Sequence, residues 1–184
     1  ITVNDTLDTG NDTYNLSANQ FSKSSGGGTM TFNTVEFIII DASDDSGTIN
    51  VASTAAGRQV YLVAHGGTDV INISSTEPNG PVNIEPSTGD DPVTVGGNAS
   101  VNFTATQRIG PLTVGGGTVR ASAGGDMVLV TTGLSVTGAA RLDLSDEDMI
   151  IDYTGGSRIE HVRQRVGSGY NGGTGPSGHP LASE

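Results

Sequence analysis

The sequence contains no cysteine and no tryptophan, and Lys23 is its only lysine. Without cysteine there is no disulfide framework, no thiolate metal site and no cysteine nucleophile. Aromatic residues make up 4% of the chain, which argues against a thick core and favours a narrow one filled by aliphatic side chains. No run approaches the roughly eighteen apolar residues that a membrane-spanning helix needs. We therefore expect no membrane insertion.

Basic residues are also scarce. Eight Lys and Arg stand against twenty Asp and Glu, which gives a net charge of -12. A protein with this negative charge repels nucleic acid and anionic membranes, and we expect neither as a partner. Divalent cations, or the solubility of an extracellular protein, explain the acidic excess better. Because the chain begins at Ile1 rather than Met, we expect a processed protein or a piece of a longer one.

Apolar pairs with one residue between them recur through the middle of the chain, mostly at intervals of eleven residues. The pairs are Ile49 and Val51, Val60 and Leu62, Ile71 and Ile73, Val82 and Ile84, Val93 and Val95, Val101 and Phe103, and Leu112 and Val114. Gly, Asn, Asp, Ser, Thr and Pro separate them. A short fixed period of this kind is typical of a coiled stack of short strands.

The pattern predicts an all-β fold, namely a β-solenoid (parallel β-helix) with a C-terminal capping helix. Two eleven-residue units would make a 22-residue coil, or a coil could include a third strand. The alternative is an antiparallel β-sandwich, because it too has short strands at this spacing. We expect one structural domain, with an N-terminal cap and first strands over 1–48, the solenoid over 49–157, and a capping helix and flexible tail over 158–184.

The most hydrophobic run in the chain contains Phe37, Ile38, Ile39 and Ile40. It predicts a strand that is buried on both faces, or an edge strand covered by a cap or a partner. An open strand edge exposes unpaired backbone groups. These four residues are therefore also the candidates for self-association.

Glycine-rich turns followed by aspartate recur before the strands, as in Gly66 to Asp69 and Gly124 to Asp126. Glycine allows a positive φ and aspartate bonds nearby backbone, so these can be structural turns. They also resemble a degraded calcium-binding nonapeptide repeat. A further acidic group surrounds the Ser145 turn. The candidate calcium ligands are Asp12, Asp69, Asp90, Asp91, Asp126, Asp143, Asp146 and Asp148, and the alternative is that no cofactor is bound.

Residues 157–166 form the one convincing helix pattern. Ser157 can cap it, Glu160 completes a capping box, and Gly167 can end it. The helix would pack on the last coil as a cap, or it would present Arg158, Arg163 and Arg165 to a partner.

No catalytic constellation emerges from the sequence. His65, His161 and His179 lie far apart in unlike contexts, and no serine lies in a nucleophile elbow. Gly115 to Gly117 lack the lysine of a phosphate loop. We therefore predict that the protein is not an enzyme, with a polysaccharide-active enzyme as the less favoured alternative.

A longer C-terminal stretch resembles a known module. Residues 133–155, which run from Gly133-Leu134-Ser135-Val136-Thr137-Gly138 to Asp152-Tyr153-Thr154-Gly155, are followed by Ile159 and by Ser168-Gly169-Tyr170-Asn171-Gly172-Gly173. This stretch resembles the C-terminal module of large secreted repeat proteins of planctomycetes and related bacteria, which carry repeats of the autotransporter-associated β-strand type. The resemblance implies a secreted or cell-surface bacterial protein with a structural or adhesive role, and it brings no catalytic residues.

The sequence thus favours a noncatalytic extracellular β-solenoid, as a subunit of a surface layer or fibre, whose partners are its own copies or other surface proteins. The alternative is a module that binds calcium or carbohydrate, with polysaccharide as the partner.

Overall fold

The apolar pairs form short strands that alternate along the chain between two sheets. The computed structural model describes residues 1–85, 87–154 and 159–169. Its strands are β1 (Thr2–Asn4), β2 (Thr13–Leu16), β3 (Gln20–Lys23), β4 (Thr29–Thr31), β5 (Phe37–Asp41), β6 (Thr48–Val51), β7 (Gln59–Val63), β8 (Val70–Ile73), β9 (Val82–Ile84), β10 (Val93–Val95), β11 (Ser100–Phe103), β12 (Gln107–Val114), β13 (Thr118–Ala121), β14 (Val128–Val136), β15 (Arg141–Asp143) and β16 (Asp148–Ile151).

The odd-numbered strands β1, β5, β7, β9, β11, β13 and β15 form one sheet, which we call sheet A. The even-numbered strands from β16 back to β2 form sheet B, and β3 and β4 extend it beyond β2. Neighbouring coils pair in parallel throughout. The fold is therefore a β-solenoid of about five turns, which confirms the predicted class over the antiparallel sandwich.

Each coil contains two of the eleven-residue units. Ile49 pairs with Ile71, and Ile71 pairs with Val93, at steps of 22 residues. The next coil is shortened, because Val93 pairs with Leu112, and the longer step returns from Leu112 to Leu134. Like side chains thus stack on like ones along the solenoid, and each fully buried Val, Ile or Leu contributes roughly 1.5–3 kcal/mol.

One turn shows why glycine is required between strands. Gly117 has φ +70°, and a Cβ atom there would lie 2.1 Å from the carbonyl oxygen of Ala99 on the preceding coil. A side chain at this position would be strained by its backbone conformation and would also collide with the coil below.

The N-terminal end of the solenoid is closed by an antiparallel meander of β2, β3 and β4. Phe21 and Phe32 are buried there. The guanidinium of Arg58 lies 4.9 Å from the centre of the Phe32 ring and donates to the carbonyl oxygens of Val35 and Asn33 at 2.7 and 3.2 Å. Because Arg58 is itself buried, these contacts tie the meander to the first coils.

The prediction that the Phe37–Ile40 run is buried on both faces is wrong. In β5 the side chains of Ile38 and Ile40 are fully buried, whereas Phe37 is 53% exposed and Ile39 is half-buried. The reason is that a two-sheet coil has one inner face, so even a continuous apolar strand turns alternate side chains outward. β5 is also not an edge strand, because β1 and β7 pair with its two edges.

The chain divides into two compact units, Ile1–Asp152 and Tyr153–Glu184. The second contains helix α1 (Ile159–Gly169), in which Arg163 and Glu160 form an ion pair at 3.2 Å. The helix continues past Gly167, since a glycine inside a helix costs only about 1 kcal/mol and does not have to end it. Ser157, Arg158 and the tail from residue 170 lie outside the described residues, and the role of α1 as a cap stays a prediction. None of the described helical residues forms a helix long and apolar enough to cross a membrane.

Candidate functional site

Three of the predicted calcium ligands share one column on the turn that precedes the strands of sheet B. The column runs through Asp12, Gly47, Asp69 and Asp91, one residue per coil. Asp69 Oδ1 accepts a hydrogen bond from the backbone N–H of Gly47, and Asp91 Oδ1 accepts one from the N–H of Asp69, both at 2.8 Å. Each carboxylate therefore binds the backbone of the coil before it.

Asp69 and Asp91 are both buried, at 0% and 1% exposure. Burial, with the nearby charge of Asp91, raises the pKa of Asp69 to about 7. Burial likewise raises the pKa of Asp91, although the hydroxyl of Ser87 donates to its Oδ2 at 2.6 Å. Asp69 Oδ2 has no hydrogen-bond partner. At Asp69 and Asp91, burial thus disfavours the ionised carboxylate that a calcium ligand requires.

A second acidic cluster lies at the N-terminal end. Among the described residues, Asp5, Asp8 and Asp12 are the one group of three whose ligand atoms lie within 4.8 Å of one another. The ammonium of Lys23 pairs with all three, at 2.7 Å from Asp5 and 3.0 Å from Asp12 and closer still to Asp8. The positive charge that balances these carboxylates therefore comes from Lys23 of the same chain.

This internal cation alters the titration of the groups around it. Hydrogen bonds from Lys23 and from the N–H of Thr9 lower the pKa of Asp8. Burial alone would raise the pKa of Asp12, but its bonds to Ser25 and Lys23 outweigh burial and lower it. Burial alone would lower the pKa of Lys23, because it disfavours the charged ammonium. The hydrogen bonds to Asp5, Asp8 and Asp12 outweigh burial and raise the pKa of Lys23 well above its ordinary value.

Tyr14 links this cluster to the first coil. Its hydroxyl donates to Asp5 Oδ2 at 2.6 Å and accepts from the N–H of Ser43 at 3.2 Å. Burial and the hydrogen bond to Asp5 raise the pKa of Tyr14 to about 12.

A third group of carboxylates occupies the turns near the end of the solenoid. Glu147 is buried and accepts hydrogen bonds from the N–H groups of Gly125 and Met127 on the preceding coil, both at 2.6 Å. Asp146 accepts from the N–H of Gly124 at 3.3 Å. Asp126 is exposed in the same region.

The remaining candidates are spread over the surface. Asp90 pairs with Arg108 at 2.7 Å, and Arg108 also pairs with Asp152. Asp143 pairs with Arg120 at 3.1 Å, and Asp148 is exposed at the start of β16. The structure therefore distributes the eight predicted aspartates over several places, and within the described part of the chain only Asp12 belongs to a three-carboxylate group.

The outer faces of the two sheets differ in chemistry. On sheet A, Phe37 and Tyr61 stack with ring centroids 6.4 Å apart, and Asp41 contacts His65 on the same side. Sheet B instead carries an asparagine ladder, in which Asn72 donates to Asn50 and Asn50 donates to Asn15, each at 3.0 Å. The side chain of His161 and all of His179 lie outside the described residues, so the absence of a histidine site stays a prediction.

Several of these residues were not singled out from the sequence. Asp5, Asp8 and Glu147 lie between strands, and Lys23 ends the short strand β3, so none of them belongs to the repeated pattern of apolar pairs. One signal was available, because a single lysine among twenty acidic residues has a strong preference for a carboxylate cluster.

Comparison of the chain with protein-family models, with curated proteins and with solved structures gives no match. The class of protein is therefore defined by its own fold, a two-sheet β-solenoid whose acidic turns bind its own backbone.

Proposed function

We propose that this chain is a noncatalytic β-solenoid that builds or attaches to an extracellular structure on a bacterial surface. The secreted, cell-surface setting comes from the resemblance of residues 133–173 to the C-terminal modules of large secreted repeat proteins. The mechanical role comes from the solenoid itself, in which hydrogen-bonded ladders join every coil to the next.

One observation carries the proposal. The buried carboxylates of Asp69, Asp91 and Glu147 each accept a backbone N–H from the preceding coil. These groups are the acidic residues that an enzyme or a cation site would recruit, and here their hydrogen bonds join turns together. An assembly role uses such cross-coil bonds directly, because they resist separation of the coils under load.

Self-association would use the ends of the sheets or their outer faces. Both edges of β5 are already paired, so Phe37 and Ile39 could contact a second copy only through their outward side chains. Within the described residues, β1 and β4 end the sheets on one side, and β15 and β16 end them on the other. Pairing between opposite ends of two copies would be heterologous, and a contact of that kind propagates into a fibre.

The test is negative-stain electron microscopy of the purified chain with calcium and then with chelator. Filaments in both conditions are the expected result for a fibre subunit, and separate particles in both would restrict the role to a module of a larger surface protein. Particles that unfold only in chelator would overturn the assignment of the acidic turns to backbone binding and would favour the calcium-binding alternative.

A further inference from the structure

Part of the outer face of sheet B carries no charge, and the exposed Arg108 of β12, which pairs with Asp90 and Asp152, borders this part. Three outward positions on each of β2, β6, β8, β10, β12 and β14 are in register across the sheet, and none is Asp, Glu, Lys, Arg or His. The central column is Asn15, Asn50, Asn72, Thr94, Thr113 and Ser135. We call these positions the neutral face.

This face is unusual for such a protein. A soluble surface generally carries charged side chains at roughly a quarter to a third of its positions, and the chain as a whole has a net charge of -12. The outer face of sheet A follows the ordinary pattern, with Asp41, Arg120, Arg141 and Asp143 among its outward residues. The contrast indicates a surface whose partner is itself uncharged.

Small side chains occupy much of the neutral face. Glycine, alanine, serine and proline occupy many of the positions beside the central column, so few side chains project from it. The amides of Asn15, Asn50 and Asn72 hold one another through hydrogen bonds of 3.0 Å. Little side-chain entropy would be lost when such preorganised groups bind a ligand.

A recess of about 100 Å³ opens at one end of the face, where β3 joins the sheet. The polar side chains of Asn15, Ser17, Gln20, Ser22 and Asn50 line it together with the apolar Leu16 and Ala52. It has room for a few water molecules, or for the edge of one sugar ring. Hydroxyl groups are the natural ligands for such a lining, because they both donate and accept hydrogen bonds.

The size of the face argues against a second copy of this chain as its occupant. Six strands span about 24 Å across the sheet, and three outward positions span about 13 Å along it. Even with side-chain margins the area is about 400 Å², compared with about 800 Å² per partner in a stable protein interface. A linear polymer needs less contact at each repeat, because it gains affinity by engaging many sites along its length.

We propose that the neutral face binds a neutral polysaccharide, whose hydroxyl groups bond the central column and whose first sugar enters the recess. The inference rests on the proposed adhesive role and names its ligand class. An anionic polysaccharide is disfavoured because the net charge of the chain would repel it.

The test is co-sedimentation of the full chain with four insoluble neutral polysaccharides, namely cellulose, chitin, mannan and β-1,3-glucan, and with an anionic pectate gel. We expect depletion by at least one neutral polymer and none by pectate.

Two variants place opposite charges on the exposed central column, Thr113→Glu and Thr94→Lys. Each should weaken binding at least tenfold, because either sign must be desolvated without a partner. Thr118→Glu is the matched control, since it adds the same charge to the outer face of sheet A beside Arg141.

Circular dichroism melting of each variant establishes that it folds. No depletion by any of the four polymers overturns the proposal, and so does stronger binding of Thr94→Lys to pectate than to the neutral polymers. An equal loss in Thr118→Glu would show that the effect is not specific to the neutral face. A dimer that Thr113→Glu dissociates, without polysaccharide binding, would assign the face to a second copy instead. Release of reducing sugar during the assay would contradict the noncatalytic function but leave the binding face intact, so the two failures are distinguishable.

Discussion

The carboxylate of Asp91 accepts a hydrogen bond of 2.8 Å from the backbone N–H of Asp69, the residue that occupies the same place on the preceding coil. Asp69 in turn binds the N–H of Gly47. Two buried carboxyl groups therefore stack one coil apart, and burial and their mutual repulsion oppose the second negative charge.

This stacking predicts that the solenoid loses stability as the pH rises. In the unfolded chain Asp69 releases its proton near pH 4, whereas in the folded protein its pKa is about 7. The folded state binds more protons between these values, so the free energy of unfolding falls from about pH 4 to 7. Asp69 itself accounts for about 4 kcal/mol at most, and the raised pKa of Asp91 acts in the same direction. Thermal melting across this range should show the decline. The pKa values of Asp8 and Asp12 are lowered, so the stability that these groups contribute is lost only on acidification below about pH 4. They therefore do not contribute to the decline between pH 4 and 7.

The variant Asp69→Asn should flatten that pH profile and raise the melting temperature at pH 8, because it removes the buried charge while its amide oxygen still accepts the N–H of Gly47. The exposed Asp126→Asn is the control for the loss of one acidic charge. An unchanged slope in Asp69→Asn would show that the decline has another source.

Lys23 should be the residue whose removal most destabilises the N-terminal cap. Its side chain is 9% exposed and pairs with Asp5, Asp8 and Asp12. The variant Lys23→Met keeps the aliphatic stem but leaves three carboxylates facing one another, which should cost about 3 kcal/mol in urea unfolding at pH 7. The double variant Lys23→Met with Asp8→Asn should recover part of the loss. Equal stability of Lys23→Met and the natural chain would show that the cluster is solvated rather than paired.

The inward side chains should dominate the stability of the solenoid. Ile71 is 1% exposed and stacks between Ile49 and Val93. Ile71→Ala should therefore lose about 2–5 kcal/mol of unfolding free energy. Thr94→Ala, on the outer face of the next strand, should change it by about 0.5 kcal/mol or less. Comparable losses in chemical denaturation would contradict the assignment of inner and outer faces.

The shortened coil can be tested by cross-linking, because the chain has no cysteine of its own. Thr94 and Thr113 are 19 residues apart and pair on neighbouring strands. Their Cα atoms should lie about 5 Å apart, within the range of a disulfide. The double variant Thr94→Cys and Thr113→Cys should therefore oxidise readily. The control pair Thr94→Cys and Thr118→Cys spans the two sheets and should remain reduced, as judged by electrophoretic mobility. The reverse result would rule out this register.

The strand positions could be predicted because they depend on local alternation. Val60 and Leu62, or Val82 and Ile84, leave one residue between two apolar side chains, and in a strand this places both on the same face. The eleven-residue interval allowed two or three strands per coil, and the pairing of strands 22 residues apart in the structure shows two. Prediction failed at β5, where four consecutive apolar residues hide the alternation. The long strand β14, from Val128 to Val136, also lies beyond the last predicted pair, Leu112 and Val114. β14 pairs with β12, which is also long, and this partner cannot be predicted from the residues of β14 themselves.

The sequence by itself indicated a solenoid, the positions of most of its strands and the acidic character of the turns, because each depends on residues close together in the chain. Only the tertiary structure decided which of those residues meet. Asp12, Gly47, Asp69 and Asp91 form one column because the coils stack in register, and Lys23 reaches Asp5 because the meander folds back over the first coil. Contacts between coils depend on the length of every intervening turn, so they are fixed only when the whole stack forms.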